Sequence, residues 1–362
     1  MTRYYPSITQ LKQLMQAKAA QRLPQASTLA PHLTEYQYIR PGYLIRSMQF
    51  TCQQQDDLMH QLTLRHDATT QTFLTRLASI ADLTPKLYQR FQQNPDTMSY
   101  WYPALHTAWE KSNHFFKIPS TQIVTLPIEL SQYMRLDYST VSATSHQLFN
   151  QILHQLFNLN DQQTYFIKTG TFSSKFEFKN AHLTEPQDIG SYFQVINNFA
   201  MMVGAGVTND VVVRDWIPDP DHHDTIYDGL PLRTEFRAFV DADRHYLIDI
   251  VPYWNPLVMK HVLATQGQHN PEIQQDYETY LRNQQRLVDE FNQAQAVLHQ
   301  QLQNLLPHLK LHGCWSLDIM QSGQTFYLID MATMQHSALT DLIAPHQQRA
   351  YQQLIHQKKE HH

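Results

Sequence analysis

Four groups of residues in this chain have types and spacings that could do chemistry. Lys168 closes the compact β-branched and aromatic run Thr164-Tyr165-Phe166-Ile167-Lys168, directly ahead of the small-residue segment Thr169 to Lys175. A lysine at a strand end is a compact cation suited to a phosphate, and the hydroxyls of Ser173 and Ser174 with the loop amides could cover phosphates. The alternative is a lysine that snorkels to water. Val211 to Trp216, which includes Arg214 and Asp215, runs into Ile217-Pro218. A strand stopped by proline could offer unpaired backbone groups to the edge of a flat base, or be an ordinary strand end. Glu235 and Arg237 are two residues apart in the run Arg233 to Val240, so in a strand their side chains share a face. They form either a structural ion pair or part of a polar cleft. Asp318 and Asp330 lie 12 residues apart on two apolar runs around Gln321-Ser322-Gly323-Gln324. Side by side across a ladder, two carboxylates in apolar surroundings repel and resist desolvation unless a cation joins them. A divalent ion carrying a phosphate is one such cation; a core arginine is the other.

The elements that must position these residues follow from periodicity. Ile8, Leu11, Leu14 and Met15, and later Phe73, Leu74, Leu77 and Ile80, recur at helical spacing. Asp82 and Thr84-Pro85 mark a helix boundary. The aromatic stretch Met98 to Pro103 reads as a packing seam between domains. Thr121 to Pro127 predicts a short strand, Ser142 to Asn158 an amphipathic helix, and Phe176-Glu177-Phe178 a second strand after the one ending at Lys168. A helix over Asp188 to Met202 leads through Gly204-Ala205-Gly206 to the Val211 strand, followed by a polar loop from Pro218 to Gly229. Two paired strands, Arg233 to Val240 and His245 to Val251, precede a long helix over Pro271 to Leu306. Strands over Cys314 to Met320 and Thr325 to Asp330 then close a hairpin. Interleaved helices and antiparallel pairs make the C-terminal two-thirds α+β.

Composition removes several classes. The chain has 362 residues, enough for about two domains. Charged residues are 16% and the net charge is −5, which disfavours a nucleic-acid partner held by phosphate attraction. No window reaches the roughly 20 apolar residues of a membrane span, so no membrane partner is expected. Cys52 and Cys314 stand far apart and make neither a disulfide framework nor a thiolate zinc site. Met1 to Pro6 has no apolar signal segment, and a cytoplasmic location is expected. There is no P-loop, G-x-S-x-G or H-E-x-x-H. Gly204-Ala205-Gly206 follows a helix and precedes a strand, the reverse of a dinucleotide fingerprint. Asp219-Pro220-Asp221-His222-His223-Asp224 is rich in ligands, but on a proline-broken loop it reads as solvated rather than as one ion's site.

Taken in order over about Ile118 to Leu339, the surviving pieces resemble the ATP-grasp superfamily: a strand ending in Lys168, a small-residue flap to Lys175, a hinge strand Val211 to Ile217, Glu235-Phe236-Arg237, and an aspartate strand paired with one ending in Asp330. The chain is similar to the branch containing the eukaryotic cell-division-cycle assembly factor for a translation initiation factor. That branch also shows Lys followed by aromatic-Ser-Ser, Glu-Phe-Arg, and Trp-x-x-Asp. The resemblance implies an ATP-grasp two-lobed nucleotide-binding fold over 116–345, with a hinge near 214–218, after a mainly helical region over 1–115 and before a tail over 346–362. It implies ATP and Mg2+ as cofactors and an ATP-dependent carboxylate–amine ligase acting through an acyl phosphate. The acceptor, a small molecule or a protein, is undefined, and the helical region would supply its pocket. Lys168, Lys175, Ser173 and Ser174 would hold phosphates; Arg214, Asp215, Trp216, Ile217 and Glu235 would bind the nucleotide. Asp318 and Asp330 would hold metal, with Arg237 and Lys175 catalytic. Where the family has Asn two residues after the second acid, this chain has Ala332, so one metal ligand is absent: either Thr333 or Gln335 substitutes, or only one metal binds tightly. An ATP-binding assembly or interaction protein with little chemistry is the second expectation.

Overall fold

β-branched and aromatic runs set where the strands form, and capped apolar stripes set the helices. The structure is a computed structural model and describes residues 39–40, 43–44, 94–125, 143–203, 205, 208–266 and 270–359. The helical readings over Ile8 to Ile80, the boundary at Asp82, Cys52, Gly204 and Gly206 lie outside them. Of the region before 116, the structure describes a short strand pair, β1 (Ile39–Arg40) with β2 (Tyr43–Leu44), and helix α1 (Met98–Lys111), which contains the aromatic stretch. The class is α+β, as expected. The chain divides into two compact units, 1–99 with 120–216, and 100–119 with 217–362.

The first unit holds β3 (Thr121–Thr125), α2 (Ala143–Phe157), β4 (Tyr165–Thr169), β5 (His182–Leu183), α3 (Ile189–Met202) and β6 (Asp210–Asp215). Its sheet runs β3-β6-β4-β5 and every pair is antiparallel. Val211, Val212 and Val213 of the inner strand β6 are all buried, so that strand reads as an unbroken apolar run instead of an alternating one. Phe149, Leu153, Leu156 and Phe157 of α2 are buried at helical spacing, as are Ile189, Phe193, Ile196 and Ala200 of α3. The strand expected over Phe176-Glu177-Phe178 is instead part of a 3-10 segment, Lys175–Asn180. Ser174 enters it in the left-handed region at φ 51°, and the Glu177 amide bonds back to the Ser174 carbonyl, so the backbone is satisfied locally. β5 pairs with β4 in its place.

The second unit holds β7 (Thr225–Ile226), β8 (Leu230–Pro231), β9 (Glu235–Asp241), β10 (Tyr246–Pro252), α4 (Pro256–Gln266), α5 (Pro271–Leu305), β11 (Cys314–Ser322), β12 (Thr325–Thr333) and α6 (Pro345–Lys359). The stretch expected as a polar loop thus contains β7, which pairs with β8 around a turn at Tyr227, Asp228 and Gly229, all at positive φ. The main sheet is antiparallel, in the order β10-β9-β11-β12. Asn270 caps α5 by accepting from the Glu272 amide at 3.0 Å, with Pro271 in the first turn. Leu287, Phe291, Ala294, Leu298, Leu302 and Leu305 give α5 one buried stripe, and Phe291 stacks on Phe236 at 5.6 Å. Phe239, Ile248, Val251 and Ile343 form a separate buried cluster.

The residues expected as a tail form helix α6 as far as Lys359. Tyr351 fastens it: its hydroxyl donates to Asp241 at 2.8 Å and its ring stacks on Tyr246. At the outer strand β10, Asp249 accepts from the Ile250 amide at 2.9 Å and from the Ala344 amide at 2.8 Å, just before α6. Among the described residues no helix is long and apolar enough to cross a membrane.

Gly190 marks the close approach of α2 and α3. A Cβ there would lie 2.6 Å from both Asn150 Oδ1 and Phe149 Cδ1. Alanine in a helix normally gains about 1 kcal/mol over glycine, but overpacking costs about 1–3. Gly190→Ala should therefore lower stability by about 1 kcal/mol, measured as a shift in denaturant midpoint with unchanged slope.

Candidate functional site

In the first unit Lys168 lies on the inner strand β4, opposite Val212, with 1% of its surface exposed. A snorkelling side chain keeps its head in water, so that alternative does not hold. The segment after it is a tight turn: the Thr169 amide donates to the Phe172 carbonyl at 3.0 Å, and the Phe172 amide donates to Thr169 Oγ1 at 2.9 Å. The Thr169 hydroxyl thereby occupies an amide that was expected to face a phosphate. Gly170 packs where a Cβ would collide with the Thr97 hydroxyl. That hydroxyl belongs to a buried clasp in which Asp210 accepts from Thr97 at 2.6 Å and from Thr125 at 2.5 Å, while the Met98 amide donates to the Gly170 carbonyl. Ser173 is half-buried. Ser174 is fully buried, and among the described residues its hydroxyl has no hydrogen-bond partner. Lys175 opens the 3-10 segment, beside an exposed Phe176.

The hinge strand is less open than expected. Arg214 is buried, with Nε donating to Thr121 Oγ1 at 3.2 Å. The amide of the exposed Asp215 donates to the Ser120 carbonyl, and the Ile217 carbonyl accepts from Arg233 at 2.9 Å. The expectation of unpaired backbone groups therefore fails at these two positions, because β3 and Arg233 extend the pairing past the strand end. Trp216 is flanked by aromatic rings: His182 stacks on it at 4.0 Å and 18°, and Phe178 lies 5.7 Å away. Burial lowers the pKa of His182, whose buried Nε2 has no hydrogen-bond partner among the described residues.

In the second unit Arg237, Asp318 and Asp330 stand in one row across β9, β11 and β12, because Asp318 is registered with Arg237 on one side and Asp330 on the other. A bulge makes this possible. From Ser322↔Thr325 to Ile319↔Leu328 the hairpin is regular, and then the register slips so that Asp318 meets Asp330 and Ile329 is left over. Without the slip Asp330 would face away from Asp318. Arg237 grips Asp318 with two parallel bonds, Nε to Oδ1 and Nη2 to Oδ2, both 2.7 Å. Its Nη1 donates to the Ala338 carbonyl at 3.2 Å, and its guanidinium lies 5.0 Å from the centre of the Tyr253 ring. Burial opposes the arginine's charge, but Asp318, with help from Tyr253 and Asp330, raises its pKa above the ordinary value. Glu235, two residues earlier, is buried opposite Met320. The structural ion-pair reading thus applies to Arg237 with Asp318, not with Glu235.

The sequence offered no signal for the partners of the Pro218 loop. Asp219, Asp221 and His223 bring ligating atoms within 4.8 Å of one another, contrary to the expectation that they would not converge. Their carboxylates are engaged within the fold: Asp219 accepts from His223 Nδ1 at 2.6 Å and faces Arg233, and Asp221 accepts from the Gly323 amide. Burial works against the charge of Asp219, but the His223 bonds and the attraction of His223 and Arg233 hold its carboxyl below the usual range. Tyr253, Asp210 and His182 were likewise not singled out from sequence, since each acts through contacts distant along the chain.

No protein-family model matches the chain, and no curated protein does. Among solved structures it is similar to Cdc123 from Schizosaccharomyces pombe, at 14% identity over 71% of this chain and 90% of that one, with a TM-score of 0.40. It is also similar to D-alanyl-alanine synthetase A from Vibrio cholerae, at 11% identity over 65% and 52%, TM-score 0.30. A third is phosphoribosylglycinamide synthetase from Anaerococcus prevotii, at 11% identity over 64% and 41%, TM-score 0.23.

Two outcomes are expected from this geometry. Asp318→Asn leaves a largely buried arginine without its carboxylate and should cost about 3–5 kcal/mol, read from denaturant midpoints without added ligand. His182, with its lowered pKa, stays neutral in the folded protein while the unfolded chain takes up a proton below about pH 6.5. That component of stability is fully present above pH 6.5 and is lost as pH falls through the lowered pKa. His182→Phe keeps a ring against Trp216 and removes the titration, so its melting temperature should drop less than the wild type's between pH 7 and pH 5.

Proposed function

We propose that the chain binds ATP with magnesium and is an ATP-dependent carboxylate–amine ligase of the ATP-grasp type. The observation that carries this reading is the Arg237–Asp318–Asp330 row, with an ion-pairing cation and two carboxylates on one face of one sheet. The donor set fits magnesium. Mg2+ is commonly held by one or two carboxylates plus phosphate oxygens and water, so Ala332 in place of a third ligand does not remove the site. Magnesium, when bound, would draw charge from phosphate oxygens.

The remaining chemistry belongs to side chains. Lys168 and Lys175 would take phosphate charge, with Ser173 and Ser174 covering it. Arg214, Asp215, Trp216, Ile217 and Glu235 would serve the nucleoside. The aromatic surroundings of Trp216 support a flat base there. In the ligase reaction a substrate carboxylate attacks the γ-phosphorus, ADP leaves, and an acyl phosphate forms. Arg237 would stabilise charge on the transferring phosphoryl group. An amine then attacks the carbonyl carbon and phosphate departs. One observation favours the second reading, an ATP-binding assembly or interaction protein with little chemistry: Arg237 is engaged by Asp318, Ala338 and Tyr253 together. Release of ADP and phosphate on adding a carboxylate and an amine supports the ligase; binding without turnover supports the assembly protein.

Calorimetry and melting curves test both. Magnesium-ATP at about 100 times its Kd should stabilise the fold by about 2.7 kcal/mol. Lys168→Met should remove that stabilisation, and Asp330→Asn should remove the part that depends on magnesium. Wild-type protein that binds no adenine nucleotide at millimolar concentration would sink both readings.

A further inference from the structure

Asp318 is the middle member of its row, and it faces two ways. Toward β9 both its oxygens accept from Arg237, one from Nε and one from Nη2, each at 2.7 Å. Toward β12 lies Asp330, brought opposite by the Ile329 bulge. A carboxylate gripped end-on by a guanidinium offers its better lone pairs to the arginine. A dication seated between Asp318 and Asp330 would therefore take the arginine's acceptor. It would also stand close to a fixed positive charge in a pair shielded from water, since the Arg237 and Asp318 side chains are 12% and 11% exposed. The repulsion is large there because the local dielectric is low.

Resting on the magnesium-ATP reading, we propose that Arg237 and the metal compete for Asp318, so that magnesium enters only when a phosphate takes over Arg237. The nucleotide supplies what the row lacks, an anion for the released guanidinium. Arg237 gives up two charge-assisted bonds to Asp318 and regains them from phosphate oxygens, and Asp318 turns its freed oxygens to the ion it shares with Asp330. The Ala338 carbonyl and the Tyr253 ring keep the arginine from swinging away in the meantime. Metal and nucleotide are then coupled through this one side chain, and by linkage each tightens the other. Magnesium alone finds the site closed.

The test is titration calorimetry with magnesium chloride alone and no nucleotide. Wild-type protein should show no saturable binding at low millimolar metal. Arg237→Gln should bind magnesium at least tenfold more tightly than wild type. Arg237→Lys keeps the positive charge but loses the two-pronged grip, so it should fall between the two; it also serves where the glutamine variant does not fold. Adding Asp330→Asn to either variant should abolish the gained binding, which ties it to the row. Wild-type binding of magnesium alone as tight as in both Arg237 variants would overturn the competition while leaving the magnesium-ATP reading intact. Absence of magnesium binding to the variants, and to wild type with ATP present, would overturn the reading and the competition together.

Discussion

The two parallel bonds between Arg237 and Asp318 tie the middle of the β10-β9-β11-β12 sheet, and much of the second unit is arranged around them. They join the two inner strands, β9 and β11, where hydrophobic neighbours leave little water to solvate an unmatched charge. Such a pair stabilises little relative to an apolar substitute, yet breaking it leaves a costly buried ion. The surroundings satisfy what remains of the guanidinium: Ala338 supplies a carbonyl and Tyr253 a ring face. Segment 334–343 thereby covers one face of the sheet beside Arg237, while Phe291 of α5 stacks on Phe236, whose side chain points to the other face.

A second constraint is geometric. The β11–β12 hairpin turns at Gly323, with φ 57°, and pairs regularly until Ile329 is looped out. That one extra residue changes the parity of everything after it on β12. It turns Asp330 to the face of Asp318 and brings Ala332 opposite Ser316. The bulge thus stands at the one point along the hairpin where facing carboxylates need to be made.

Much of this was legible in the residues. The strands around Ile167, Val212, Phe236, Leu317 and Leu328 are short β-branched and aromatic runs with clear ends. The long helix read over Pro271 to Leu306 is α5, and it spans Pro271–Leu305. The types in the row, an arginine and two aspartates inside apolar strands, also stood out. Which partner Asp318 takes did not, because a metal and an arginine satisfy the same carboxylate. The 3-10 segment after Lys175 was hidden for a related reason. Phe176-Glu177-Phe178 alternates like a strand, and only the left-handed turn at Ser174 diverts it. The convergence of Asp219, Asp221 and His223 depends on Arg233 and Gly323, contacts that no local pattern records.

The carboxylate of Asp249 has a meaning of its own. β10 is one of the two outer strands of its sheet, and an outer strand presents backbone groups that can recruit a strand from another molecule. Asp249 covers the Ile250 amide with one oxygen and holds the start of α6 with the other, and the bulge at Ile248 interrupts the strand's regular register. An incoming strand would have to strip off that carboxylate, loosen the C-terminal helix and bring a negative charge out of its bonds, all before its first ladder bond formed. At this border of the sheet Asp249 and the Ile248 bulge together oppose amyloid-like growth.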